Sequence, residues 1–237
     1  ESWGAPKEQI STAKEPWYER GYRANVIDNP SGLCLGSYVF LWGNKIEVTP
    51  TWYSMILPDG AKTGAVDVIT RLWTGKPAAH PCPRIGAMQL GSKPMVRPGE
   101  SLTATLKLES GSRIEKVRWE LLREIETWTA DTPRVVAQGS IPDAAITSTG
   151  LAAIVTMPKT PGAYRLYAYV YNAHGGAATA NVPLYVKAPV ESRSTQLPCI
   201  VYAEGTAPGA FEPTGWMGST EAMKLDPNCA VQPHTGN

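Results

Sequence analysis

Between residues 84 and 187, short runs of alternating apolar and polar residues recur, each cut off by a turn signal. The runs are Leu102-Thr103-Ala104-Thr105-Leu106-Lys107-Leu108, Lys116-Val117-Arg118-Trp119-Glu120-Leu121, Ala152-Ala153-Ile154-Val155-Thr156-Met157 and residues 164–171. Successive side chains of a strand point to opposite faces, so a period of two gives each run one face to bury and one to show to water. Arg97-Pro98-Gly99-Glu100, Pro161-Gly162 and Asn172-Ala173-His174-Gly175-Gly176 separate the runs with residues that fix or permit tight-turn angles. Strands at this cadence over roughly 100 residues predict a β-sandwich over 84–187. Its last two strands read as a hairpin, 164–171 returning as 178–186. Tyr167, Tyr169 and Tyr171 share the face opposite Leu166 and Val170, a stripe expected to pack on the neighbouring domain.

Residues 1–79 follow a different grammar. Thr12-Ala13-Lys14-Glu15 fits a capping box, with Trp17, Tyr18, Tyr22 and Val26 about a turn apart, and Asn29-Pro30-Ser31-Gly32 stops that helix. Leu33-Cys34-Leu35-Gly36-Ser37-Tyr38-Val39-Phe40-Leu41-Trp42 is apolar on both parities, as in a strand of a parallel sheet buried on both faces. A second helix is expected from about Thr63 to Thr74, with Val66, Ile69, Leu72 and Trp73 as its apolar face and Gly75 to end it. Helix, buried strand, loop and helix is the grammar of an α/β fold.

Residues 188–237 hold no sustained period. Gly215-Trp216-Met217-Gly218 and Met223-Lys224-Leu225 are isolated apolar spots. Flexible linkers seldom carry Trp and Cys, so this stretch is expected to begin a further β-rich domain.

Lys and Arg number 22 against 21 Asp and Glu, with no basic stripe, which argues against nucleic acid and anionic membranes as partners. The apolar runs fall far short of the ~20 residues that span a bilayer. Of the four cysteines, Cys34 reads as a buried free thiol, while Cys82, Cys199 and Cys229 sit in Pro-rich loops as disulfide candidates of an exported protein. No CxxC pair occurs and His80, His174 and His234 are isolated, so neither a metal nor a cofactor is expected.

Chemistry concentrates in residues 41–53, at the C-terminal end of the apolar run, where α/β barrels place their sites. Flat sugar faces edged by hydroxyls suit aromatic plates ringed by hydrogen-bonding groups. Trp42 is the foremost plate and Trp52 a second, while Asn44, Lys45, Glu47 and Thr49 are placed to meet hydroxyls or position a neighbour. A plainer reading stands beside this one, with Trp42 and Trp52 covering a rim and the polar residues forming a solvated loop.

Residues 33–45, Thr49 to Tyr53, and Val66-Asp67-Val68 through Leu72-Trp73-Thr74-Gly75-Lys76 resemble the final βα unit of bacterial glycoside hydrolases of the (β/α)8 kind. Trp3-Gly4-Ala5-Pro6 resembles the loop entering their seventh helix. The resemblance implies a partial (β/α)8 barrel over 1–79, with Trp42 flooring the sugar subsite at the cleaved bond. It also implies that the catalytic carboxylate pair belongs to strands outside this chain, since Glu1 and Glu47 match neither position. The chain alone is then expected to lack hydrolase activity, with the remaining barrel segments of the same enzyme and carbohydrate as its partners.

The 84–187 sandwich resembles the immunoglobulin-like and PKD-like modules of secreted polysaccharide-degrading enzymes. By that resemblance Trp119 fills the space between sheets and the Tyr164 hydroxyl ties down a neighbouring loop. The implied setting is secreted or periplasmic. The expected fold class is mixed: the last βα unit of a barrel, an immunoglobulin-like sandwich, then over 188–237 the truncated start of a β-rich domain, for which the resemblance implies carbohydrate binding. Two other classes compete: a non-catalytic carbohydrate-binding or spacer module, and an adhesion protein of immunoglobulin-like repeats. The last is disfavoured because no repeat of that length recurs.

Overall fold

The alternating runs become strands in the computed structural model, which describes residues 1–43, 48–124, 141, 143–189, 199–202 and 223–226. Helix α1 (Ser11–Tyr22) passes into a short π-helical segment (Arg23–Ile27), and a two-residue strand β1 (Lys62–Thr63) leads into helix α2 (Gly64–Thr74). Then come β2 (Ile85–Leu90), β3 (Met95–Val96), β4 (Ser101–Leu108), β5 (Lys116–Arg123), β6 (Ala145–Thr149), β7 (Ala152–Thr156), β8 (Gly162–Tyr171) and β9 (Gly176–Val186). One sheet has the order β2-β4-β7-β6; the other runs β1-β9-β8-β5, with β3 also paired to β9. The fold class is mixed and strand-rich. Residues 1–189 form one compact unit and residues 190–237 a second. In the second, β10 (Cys199–Tyr202) pairs antiparallel with β11 (Met223–Asp226). The Gly215-Trp216-Met217-Gly218 spot lies outside the described residues.

Period-two patterning places the core between the two sheets. Leu102, Ala104 and Leu106 of β4 point inward against Ala153 and Val155 of β7, with Leu102 directly opposite Val155 and Ala104 opposite Ala153. Across from them stand Trp119 and Leu121 of β5 and Tyr164, Leu166, Ala168 and Val170 of β8. Each Val or Leu among them contributes about 1.5–3 kcal/mol on burial, each Ala less. The two polar handles are satisfied: Trp119 Nε1 donates to the Gly150 carbonyl at 3.0 Å, and the Tyr164 hydroxyl donates to the Thr160 carbonyl at 3.0 Å.

The outer face of β8 is buried as well. Tyr167 and Tyr169 pack with Leu57, Ala61, Leu122 and Ala177, so the tyrosine stripe is covered by residues of the first third of the chain. The β8–β9 turn is held by Asn172, whose Oδ1 accepts from the amides of His174 (2.9 Å) and Gly176 (2.8 Å). Its Nδ2 donates to the Pro81 carbonyl at 2.8 Å.

The exposed edge of β9 is closed by α1. β1 pairs with Gly176 and Ala177, β3 with Tyr185 and Val186, and between them the Thr179 amide donates to Ser11 Oγ at 2.9 Å. The Ile85 amide likewise donates to Thr12 Oγ1 at 2.9 Å. An unpaired strand edge invites aggregation and buried amides need partners, so helix hydroxyls here do the work of a neighbouring strand. This corrects the capping-box reading. The helix begins after Ile10 with no side-chain cap, Thr12 serves β2, and Glu15 accepts from Arg84. Burial raises the Glu15 pKa, with Arg84 pulling against it.

Helix α2 forms where expected and stops at Gly75, whose φ of 69° suits a residue without a Cβ. Of the expected face, Ile69 is buried and Val66 and Leu72 pack partly buried beside it, Ala65 and Val68 are buried as well, and Trp73 is 51% exposed. Cys82, expected as a disulfide candidate, is a buried free thiol whose Sγ donates to the Lys62 carbonyl at 3.2 Å. Burial pushes its pKa up to about 12, with Asp67 adding to the rise. Cys34 is free too, but only half-buried. Cys229 and the side chain of Cys199 fall outside the described part.

The largest correction concerns residues 33–42. They form no strand: Leu33, Leu35 and Tyr38 are 84%, 97% and 101% exposed. A strand buried on both faces needs a pairing neighbour on each edge and a layer on each face. Among the described residues the run obtains only a fraction of that, Val39 touching the cluster of Met55, Ala65 and Ile69.

Candidate functional site

The apolar run ends in an exposed group of aromatic rings. Phe40 and Tyr53 meet edge to face with centroids 5.3 Å apart, and Trp52 meets Tyr53 at 6.5 Å. Trp42 meets Trp73 at 5.8 Å with planes inclined by 66°. Helix α2 supplies Trp73 from its last turn, just before Gly75 breaks the helix. Trp42 is 40% exposed, and its carbonyl accepts from the Ile56 amide at 2.8 Å, which ties the end of the run to the returning loop. Of the two aromatic residues expected in the site, Trp42 thus joins Trp73, and Trp52 joins Tyr53 and through it Phe40. Asn44, Lys45 and Glu47 lie outside the described residues.

A buried polar knot supports the loop from below. Glu8, with a side chain only 1% exposed, accepts from Lys14 Nζ at 2.6 Å, from Asn181 Nδ2 at 2.6 Å, from Thr51 Oγ1 at 2.9 Å and from the Thr49 hydroxyl. Lys14 Nζ also donates to the carbonyls of Thr51 (2.9 Å) and Trp52 (3.1 Å), which fixes the backbone carrying Trp52. The loop enters through Val48 at a φ of 63°, where a β-branched residue costs about 1–3 kcal/mol and persists only if its surroundings hold it. Thr49, bonded to Glu8, is the next residue.

The knot continues into the sheet. Asn181 Oδ1 accepts from Arg165 Nη1 at 2.7 Å, while Arg165 pairs with Glu124 and donates to the Pro6 carbonyl at 2.8 Å. Burial raises the Glu124 pKa, opposed by Arg165. Tyr167 and Tyr169 are held well above the ordinary phenol value by burial, so their hydroxyls stay neutral.

This arrangement offers flat aromatic faces beside a rigid, hydrogen-bonded loop. Glu8 spends its lone pairs on four donors. Sequence reasoning missed Glu8 and Lys14, whose partners lie up to 173 residues away. It also assigned Trp73 to the helix's buried face; the position of Gly75, which places Trp73 in the final turn, was the available signal.

No family model and no curated protein matches this chain.

Proposed function

We propose that this chain is the C-terminal portion of a secreted glycoside hydrolase acting on poly- or oligosaccharide. It supplies aromatic substrate contacts, and the catalytic carboxylates belong to other segments of the same enzyme. The observation that carries this reading is two exposed ring pairs, Phe40 with Tyr53 and Trp42 with Trp73, at the end of an apolar run that presents both parities to water. Contiguous exposed apolar surface marks an interaction site. Rings beside the end of this run are suited to stack on sugar faces, and Leu33, Leu35 and Tyr38 are suited to barrel neighbours on both sides. A self-sufficient binding or spacer module would have no reason to leave those three side chains in water, which favours the hydrolase reading over the module.

The sandwich in this reading is immunoglobulin-like. In support, two sheets of the order β2-β4-β7-β6 and β3-β9-β8-β5 match the ABED and A′GFC arrangement of that fold. Trp119 sits on the strand equivalent to C, and the Tyr164 hydroxyl bonds back to Thr160 at the start of the strand equivalent to F.

The test is titration of the 237-residue chain with β-glucan, xylan and mannan oligosaccharides, followed by tryptophan fluorescence. Saturable quenching is expected, weakened about two- to tenfold in Trp42→Ala, since stacking on one ring is worth about 0.5–1.5 kcal/mol beyond burial. Aryl glycosides should not turn over. Absence of any quenching, or turnover lost on Glu47→Gln, would overturn the reading.

A further inference from the structure

Resting on the saccharide reading of the ring group, we infer that Asn181, a residue of the sandwich, is a positioning residue for the aromatic loop. Asn181 stands where two networks meet. Its amide nitrogen donates to Glu8 Oε2 at 2.6 Å and reaches Thr51 Oγ1 at 3.3 Å, while its oxygen accepts from Arg165 Nη1 at 2.7 Å. An amide is the one side chain of this size that donates to a carboxylate on one side and accepts from a guanidinium on the other. Remove the donor and Glu8 keeps Lys14 and the threonines but loses its only side-chain bond to β9.

The loop depends on Glu8 at two positions. Thr49 and Thr51 bond it directly, and Lys14, held by Glu8, grips the carbonyls of Thr51 and Trp52. The chain of contacts therefore runs Arg165, Asn181, Glu8, Lys14, Trp52. The Arg165 and Glu8 side chains are buried and Asn181, Lys14 and Trp52 are partly so; hydrogen bonds to charged groups are worth about 1.5–3 kcal/mol. The sandwich thus sets the placement of Trp52 and, through ring contact, of Tyr53 and Phe40. On this account the appended sheet tunes saccharide affinity without touching the sugar.

The test uses three variants of the 237-residue chain. Asn181→Asp is isosteric and keeps the acceptor for Arg165, but sets a carboxylate against Glu8. Thr51→Val deletes a hydroxyl and is the gentler second variant should Asn181→Asp fold poorly. Val155→Ala, in the opposite sheet, lowers global stability without touching the network. Amide hydrogen exchange over residues 49–54 is expected to quicken about tenfold or more in Asn181→Asp, less in Thr51→Val, and no more than the global loss in Val155→Ala. Lowering the pH to about 4, where the new carboxyl regains a proton and can donate, should restore part of the protection. Oligosaccharide affinity should fall in parallel with loop protection.

Unchanged exchange in both network variants, or loop opening that leaves a measurable wild-type affinity untouched, overturns the inference. A wild-type chain that binds no saccharide defeats the functional reading instead, and the exchange experiment still decides whether Asn181 holds the loop.

Discussion

Strand β8 and residues 33–42 are both ten residues long, both rich in apolar and aromatic side chains, and they have opposite fates. β8 is buried on both faces: Leu166 and Val170 reach zero exposure against the facing sheet, and Tyr167 and Tyr169 lie under Leu57 and Ala61. The 33–42 run leaves Leu35 and Tyr38 in water. By pattern alone the run reads as a strand buried on both faces, while β8 alternates and its tyrosine stripe is expected to pack on the neighbouring domain. Burial on two faces is therefore a property of what surrounds a strand. β8 has two paired neighbours, an opposing sheet and a covering segment; the run has Val39 on a small cluster, ring contacts of Phe40 and Trp42 at its end, and a bond from the Ile56 amide to the Trp42 carbonyl.

Four experiments bear on that contrast. The largest effect should come from the outer face of β8. Arg165→Ala strands the Glu124 carboxylate in a buried site, and removing one partner of a buried pair costs about 3–5 kcal/mol. A urea midpoint near wild type would show that this face is less sealed than described. On the inner face, Leu166→Ala should cost about 2–5 kcal/mol by leaving a cavity. The matching Leu35→Ala should stay within about 0.5 kcal/mol, as for an exposed site. Equal losses would erase the distinction between the two regions.

Chymotrypsin offers a kinetic form of the same comparison. Cleavage after Leu33, Leu35, Tyr38 or Phe40 is expected well before any cut in β8, read by mass spectrometry of the first fragments. The smallest effect is electrostatic. Burial raises the Glu124 pKa from its ordinary value of 4.5, so the folded chain retains a proton that the unfolded chain has released. Stability should then fall as pH rises from that ordinary value through the raised one, and level off above it. Glu124→Gln should flatten its share of the slope; a slope that persists unchanged would assign the dependence to Glu15 and other groups.

What was legible in the sequence was local. The β8–β9 hairpin followed from alternation around Asn172–Gly175, and the end of α2 from Gly75, because turn chemistry acts over a few residues. Trp119 and Tyr164 were placed by resemblance, and each makes a backbone hydrogen bond within the sandwich. The polar knot was illegible because Glu8, Thr51 and Asn181 carry no pattern in their own surroundings. Thr12 and Glu15 show the same limit: they have capping-box spacing, but β2 and Arg84 compete for their oxygens and win. Residues 33–42 show its reverse, since their composition reads as a strand and, among the described residues, they form none.

The central claim is that this run is a barrel strand completed by other segments of the same protein. It is tested most directly by amide hydrogen exchange over residues 33–40. The measurement is made on the 237-residue chain alone and on the chain expressed with the coding sequence that precedes it. The account predicts rapid exchange in the first and strong protection in the second, as for an inner strand of a closed sheet. Equally rapid exchange in both would contradict it.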